Sequence, residues 1–499
     1  MTQARRWVRR HAAWVQIGAI AGLFLAWTFA SPLGSVPDEP AHVVKAASIW
    51  QGELRGETVA LDPADSSLDV TAEMLKTPES YAEIGLLTCT AFKPEVRAGC
   101  GHALSHDDHV MQIRSAAGPY PPLFYALVGW PSRILPSASG VYLMRIASAA
   151  VCTALAALAL GTLRRRVGPR LAFVAVTLAI TPEVAFLAGS VNPNGLEVLG
   201  ALACWAGFAS IADALAADEC VSRLDLVTTL TGTAGLALTR SLGPLLTIAV
   251  VGVVLISHGR GARALLGKRP MPRVLTGIGA IAVLGAAWVV TSGHLSAVPG
   301  EAVQPGRSVL LQLVGRIDDW IRQMIAVFGW LETGPVRSAV WAWLIALGAM
   351  MLMVLKFGRG WRARSPLLLM VAVAFAPVII QYPGAASQGI AWQGRYGLAL
   401  AVGLPVMAAL ALGRIPLSAA WQHRLLAGIA VLALTGQTTS FFTALHRYAV
   451  GASGRLVFWS APKAWSPPVG SIPVMALFVA SMTALVIAAM STTSETQRP

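Results

Sequence analysis

Val36-Pro37-Asp38-Glu39-Pro40-Ala41-His42, VPDEPAH, follows directly on an apolar run, about 13–31, that is long enough to cross a bilayer. Ionised groups in hydrocarbon cost roughly 2.5 to 3.5 kcal/mol each on insertion scales, so Asp38 and Glu39 belong at the water interface. Pro37 stiffens the exit from the membrane. Pro40 sits in the first turn of a new helix, where its missing N–H does no harm. On that helix His42 lies four residues beyond Asp38 and three beyond Glu39, on a shared face. Val43, Ala46, Ala47 and Trp50 then follow at i, i+3, i+4 and i+7, which predicts an amphipathic helix on the membrane surface with its acids at the mouth.

Working outward, the composition excludes a soluble protein. Of 499 residues, 55% are hydrophobic and only 12% charged, with a mean hydropathy of +0.63, so the chain is polytopic and its main partner is the lipid bilayer. The net charge of +14 does not point to nucleic acid. The basic residues fall in short clusters between apolar runs, as cytoplasmic loops require. The first apolar run has no small-residue cleavage site and reads as an anchor.

Arg5, Arg6, Arg9, Arg10 and His11 before that anchor place the N-terminus in the cytoplasm. The polar region after it is therefore external, and it holds thirteen of the chain's 24 acids. Tyr120–Leu135, YPPLFYALVGWPSRIL, is short and broken by prolines. Read as an interfacial or re-entrant helix, it brings Arg164, Arg165, Arg166 and Arg170 inside. Spans then follow at about 141–163, 171–189, 194–216, 224–239, 243–257, 274–292, 337–355, 366–382, 396–412, 425–441 and 472–490. The fold class is thus an all-α transmembrane helix bundle of about twelve spans. Its parts are 1–31, the cytoplasmic N-terminus and first span; 32–140, an external loop with juxtamembrane helices; 141–292, the first part of the bundle; 293–335, an external loop with an interfacial helix at Ser308–Trp330; 336–490, the rest of the bundle; and 491–499, a disordered tail. The C-terminus, like the N-terminus, is expected in the cytoplasm.

With this topology the remaining polar clusters at span ends all fall on the external face: Asn192 and Asn194 in SVNPNG, Arg240 in LTRSLGP, Trp330 and Glu332 in FGWLETG, and Gln393, Arg395 and Tyr396 in WQGRY. Cys89 and Cys100 share one external polar loop. A disulfide there fits an oxidising compartment and would add about 2 to 3 kcal/mol; the alternative is two free thiols. Cys100–His109, CGHALSHDDH, gathers ligand types that suit a divalent metal, but its spacing matches no metal motif, and a solvated polar turn is the better reading of it.

VPDEPAH, the helix ending IWQGEL, YPPLFY, SVNPNG, FGWLET and WQGRY, in this order from about residue 36 to 400, resemble the bacterial polytopic membrane family of unknown function that carries DEPAH and QGRY motifs. That family is similar in layout to GT-C glycosyltransferases: a first span, an acidic pair, two juxtamembrane helices with a PPL corner, then a bundle. The chain departs from the family pattern at Thr239-Arg240-Ser241, where a lysine and prolines are usual, and at Gly397, where an aromatic is. The resemblance implies an inner-membrane enzyme with its active site external or periplasmic, taking a sugar from a polyprenyl-phosphate donor to a cell-envelope glycan or glycolipid acceptor. A non-catalytic transporter or flippase of lipid-linked glycans is the alternative; transporters place polar groups at mid-membrane on broken helices, whereas these gather at one face.

Such a transfer requires a base for the acceptor hydroxyl and cations for the departing phosphate. Asp38 is the candidate base, the alternative being a helix cap. Glu39 joins it as a candidate catalytic carboxylate that binds acceptor or a cation, or else has a structural role. Arg395 is the candidate phosphate ligand, since a guanidinium takes phosphate bidentately; snorkelling to the interface is its alternative. Arg240 is similar, and Arg145 in the second span either helps or pairs with an acid. Gln393 and Tyr396 are candidates for sugar hydroxyls, Trp330 for stacking on a sugar ring, and His42, Tyr120, Asn192 and Glu332 complete the candidate substrate site. The resemblance leaves a divalent cation open as a cofactor.

Overall fold

Ala12–Ala30 carries no charged side chain and forms a 19-residue helix, α1, which stops where Ser31 turns extended. In this computed structural model residues 11–60, 71–101, 103–292, 300–358, 360–415, 418–459 and 465–492 are described. The basic cluster at Arg5–Arg10, His102 and the end of the tail lie outside them. After a tight turn Glu39–Trp50 forms α2 with Pro40 in its first turn, so the chain leaves α1 and re-enters a helix within nine residues.

The bundle follows. Ala138–Ala179 (α3) is continuous for 42 residues except at Gly168, where φ is 82° just before Pro169. Pro182–Ala188 (α4), Pro193–Ala216 (α5), Arg223–Ala237 (α6), Gly243–Ser257 (α7) and Met271–Thr291 (α8) come next. Two short helices, Val309–Gly315 (α9) and Ile317–Ala326 (α10), precede Arg337–Phe357 (α11) and Gly360–Gln388 (α12). Gly403–Leu412 (α13), Ala419–Val450 (α14) and Ser471–Thr492 (α15) close the chain. Helix therefore continues into the first residues of the expected disordered tail.

Among the described residues nine helices are long and apolar enough to cross a membrane, or ten if the pair bent by 114° at Gly243–Gly267 counts as one. The expected twelve runs are all largely helical; the difference lies in three of them. The second expected run continues past the break at Gly168 into the third, which ends early at Ile180 and resumes as α4. Helices α6 and α7 have 15 residues each, about 22 Å at 1.5 Å per residue, short of a 30 Å hydrocarbon core. Hydropathy sees apolar runs, not the places where they bend.

Helix α5 is wholly buried and packs most extensively on α6 and α3. The α5–α6 approach is set by missing side chains: a Cβ on Gly232 would lie 2.3 Å from the Cys204 nitrogen, and one on Gly200 would lie 2.7 Å from the Gly235 carbonyl carbon. Small residues at a helix interface let backbones close in where lipid gives no hydrophobic drive to association.

The region between α2 and α3 contains what the sequence did not suggest, a three-stranded antiparallel sheet of Glu57–Ala60 (β1), Thr71–Pro78 (β2) and Val110–Ser115 (β3) in that order, with Glu73 opposite Ser115 and Leu75 opposite Ile113. Helix α2 packs on β2. Tyr120–Leu135 forms only two short helices, Leu123–Val128 and Trp130–Arg133, too short to span. Cys89 and Cys100 are joined by a disulfide, with Cα atoms 6.1 Å apart.

Candidate active site

Asp38 takes the N-cap position of α2 but makes no capping bond with its side chain. Its backbone is left-handed, φ 62° and ψ 1°, a conformation uncommon outside glycine and easiest for Asp and Asn. That turn sends the two neighbouring carboxylates apart. Asp38 Oδ2 accepts a hydrogen bond from Arg395 Nη2 at 2.6 Å, across 357 residues of sequence. The Asp38 side chain is 48% exposed and that of Arg395 5%, so a wet acid faces a buried cation.

Glu39 turns inward and is fully buried. Arg145 grips it with two bonds, Nε to Oε1 at 2.7 Å and Nη2 to Oε2 at 2.6 Å, and the Gly34 and Val191 N–H groups donate to the same two oxygens at 3.1 Å each. Arg145 also donates to the Thr28, Ser31 and Pro32 carbonyls that end α1. Four donors leave Glu39 little capacity for substrate. The pair ties together the end of α1, the start of α2, helix α3 and the loop before α5.

The SVNPNG corner holds the other side. Asn192 donates from Nδ2 to the Pro37 carbonyl at 2.9 Å, and its Oδ1 caps α5 by accepting from the Asn194 N–H. Asn194 Oδ1 in turn accepts from Arg240 Nη1 at 2.6 Å, and the same Nη1 reaches Glu197 Oε2 at 3.3 Å. The sequence thus folds into a relay from the Asp38 turn to a second buried arginine. Arg240 and Arg395 both lie against the Tyr396 ring, 4.5 and 5.3 Å from its centroid, a favourable cation–π arrangement. Two guanidinium groups thus flank one aromatic ring beside the Asp38 carboxylate.

His42 and the YPPLFY corner form the third wall. His42 Nδ1 pairs with the Tyr125 hydroxyl at 2.9 Å, and the His42 ring lies 5.4 Å from that of Tyr120. Arg240 donates to the Tyr120 hydroxyl. Burial pushes the Tyr125 phenol well above its ordinary range, and Tyr120 moves the same way, so both stay neutral and act as hydrogen-bonding groups.

Asp38, Arg395, Arg240, Tyr396, Asn192, His42 and Tyr120 are therefore gathered at one corner. Among the described residues no hydrogen bond or ion pair joins Trp330, Glu332 or Gln393 to Asp38 or Arg395. Trp330 donates from Nε1 to the Gly34 carbonyl at 3.1 Å and packs on Phe92. Glu332 pairs with Arg447 at 3.2 Å, and Arg447 donates to the carbonyls of Thr90, Lys93 and Val96 in the disulfide loop. These residues brace the corner from outside. Gln393 Oε1 is buried with no hydrogen-bond partner among the described residues. No cluster of three or more His, Cys, Asp or Glu fit to hold a metal occurs among the described residues.

Three residues of this arrangement were not singled out in the sequence: Glu197, Tyr125 and Arg447. Glu197 had a usable signal, since an ionisable residue within an apolar run marks a functional site by default. Arg447 and Tyr125 had none, because Arg447 is an ordinary basic residue at a helix end and Tyr125 one aromatic among several.

The bundle is similar to two crystal structures of ArnT from Cupriavidus metallidurans. The one bound to undecaprenyl phosphate matches at a TM-score of 0.47 and 13% identity, covering 99% of this chain and 76% of that one. The apo one matches at 0.46 and 14%, covering 99% and 78%. No curated protein sequence matches the chain. The family model described as "Predicted membrane protein (DUF2142)" matches residues 22–404: the chain is a multi-pass membrane protein that belongs to this family.

Proposed function

We propose that the protein is an integral-membrane glycosyltransferase of GT-C type, which moves a sugar from a polyprenyl-phosphate donor to a cell-envelope glycan or glycolipid on the external face of the bacterial inner membrane. The observation that carries this reading is the contact between the half-exposed Asp38 carboxylate and the buried Arg395 guanidinium. An acid open to solvent serves as a base. A cation buried beside it, with Arg240 close behind, awaits an anion.

In the reaction the acceptor hydroxyl attacks the anomeric carbon, and the bond from that carbon to the phosphate oxygen breaks. The electron pair leaves with the phosphate, and the hydroxyl proton passes to Asp38. Phosphate is a good leaving group, so no second acid has to protonate it, unlike in glycosidases with their two working carboxylates. Arg395 and Arg240 stabilise the charge that develops on the phosphate oxygens. Glu39, with its hydrogen-bonding capacity used, acts as the fixed point from which the Asp38 turn is built. Tyr396, Gln393 and Trp330 lie on elements that flank the pocket, where donor and acceptor sugars would pass.

The test is to incubate the purified protein in nanodiscs with a labelled polyprenyl-phosphate sugar and an envelope glycolipid extract, and to measure free polyprenyl phosphate. Release with transfer of label to the extract supports the enzyme. Movement of intact donor between leaflets of proteoliposomes without release replaces it with the transporter reading.

A further inference from the structure

Between Glu332 and Glu495 the sequence contains no Asp or Glu. That acid-free stretch builds α11 to α15, so its cations can find acidic partners only elsewhere. Where an acid of α5 is within reach, pairing occurs: Arg414 Nη2 meets Asp213 Oδ1 at 2.7 Å. At the same end of the bundle Lys268 pairs with Asp218 at 2.6 Å, and Arg166 with Glu219. Lys356, in the last turn of α11, and Arg424, in the first turns of α14, have no acidic partner among the described residues. Both are exposed, and both lie against the exposed Trp421 ring, 5.8 and 5.9 Å from its centroid. Phe357 packs on the same ring at 6.3 Å. Arg170 of α3 donates to Gln422 at 3.3 Å, which brings a third cation next to Trp421. Like charges gathered around one indole repel each other, and the chain supplies no acid to offset them, so the arrangement calls for an anion from outside.

Its position selects that anion. Helices α11 and α14 run antiparallel, with Gly436 against Trp343 near one end and Trp421 against Phe357 at the other. The start of α11 hangs on α10 through the bond from the Val336 N–H to the Ala326 carbonyl, and the end of α14 carries the Arg447 clamp on the disulfide loop. Lys356 and Trp421 are therefore at the end of the bundle away from Asp38, about 30 Å along a 21-residue helix. An exposed tryptophan at a span end sits at headgroup level, and cations clustered there attract anionic lipid headgroups. We propose that the end of α11 and the start of α14 form a binding site for the headgroup of an anionic phospholipid in the leaflet opposite Asp38. Lys356 and Arg424 hold its phosphate, and Trp421 marks the boundary with the acyl chains. The site stands independently of how the Asp38 corner is read.

Native mass spectrometry of the full-length protein in neutral detergent, with added phosphatidylglycerol or phosphatidylcholine, tests this. The wild type retains phosphatidylglycerol more tightly than phosphatidylcholine. Lys356→Gln and Arg424→Gln each weaken phosphatidylglycerol binding about 5-fold, and Lys356→Arg retains it. Lys268→Gln removes one charge from the same end, but a charge already paired with Asp218, and leaves binding unchanged. Equal losses in all three Gln variants would reduce the site to diffuse attraction and overturn the proposal, as would unchanged binding in Lys356→Gln and Arg424→Gln. Displacement of the lipid by inorganic phosphate would assign the cluster to a free anion instead, and a wild-type dimer that both cluster variants dissolve would put a second copy of the chain in the lipid's place.

Discussion

Adjacent acids in one motif have opposite fates, and a single backbone angle separates them. The left-handed turn at Asp38 leaves its carboxylate in water against Arg395, while Glu39 is fully buried and accepts from four donors. Breaking a buried ion pair from one side costs about 3 to 5 kcal/mol, whereas loss of a half-exposed pair costs about 1 kcal/mol or less. Glu39→Gln and Arg145→Met are therefore expected to lose much of the folded protein in a thermal-unfolding assay, and Asp38→Asn is expected to keep it. A pH effect belongs to Lys45, which is buried on α2, donates to the Leu54 carbonyl at 2.6 Å and lies 3.9 Å from Glu73. Burial lowers its ammonium to about 8. The folded state sheds this proton before the unfolded state does, so stability rises as pH climbs from about 8 towards the ordinary lysine value. The unfolding midpoint of the wild type relative to Lys45→Met is expected to increase between pH 7 and 10; a flat difference would refute the burial cost. At this scale VPDEPAH and WQGRY were readable because polar residues at span ends need a reason. Which acid works and which one holds the turn was not readable, since adjacency carries no information about the φ angle that parts them.

Helices were legible wherever an apolar run was long and uninterrupted, and illegible where it bent. The sheet escaped notice for a specific reason. In β2 both Ala72 and Glu73 are buried, because Glu73 accepts from the Gly56 N–H at 2.9 Å and pairs with Lys45 and Arg55. A buried charge in that position destroys the alternation by which a strand is recognised. The disulfide loop shows how elements brace the site: Cys89–Cys100 closes it, Arg447 holds three of its carbonyls, and Glu332 links Arg447 to the segment whose Trp330 rests on Gly34. Replacing both cysteines with serine is expected to cost about 2 to 3 kcal/mol locally. It would be seen as faster limited proteolysis near residues 89–100 with unchanged helical content by circular dichroism; equal proteolysis rates would show that the carbonyl clamp alone suffices.

Across the whole molecule, the site draws on the end of α1, the starts of α2 and α5, the first turns of α3, the turn after α6 and the segment leading to α13, so no window of sequence contains it. What made it partly visible was sidedness: with basic loops placed inside, the polar span ends all fell on one face. Its buried support Glu197, paired with Arg240, lies within an apolar helix and does not mark a face. Sidedness itself is testable through Cys220, a native exposed thiol in the turn between α5 and α6. It is expected to resist a membrane-impermeant maleimide in intact cells and to react in inverted vesicles; labelling in intact cells would invert the topology. The most direct test of the account is sugar-transfer turnover in nanodiscs by Asp38→Asn, Arg395→Met and the double variant. Residues that act as a unit are non-additive, so each single substitution is expected to lower turnover at least about 10³-fold and the double to fall little further. Wild-type turnover by Asp38→Asn would contradict it.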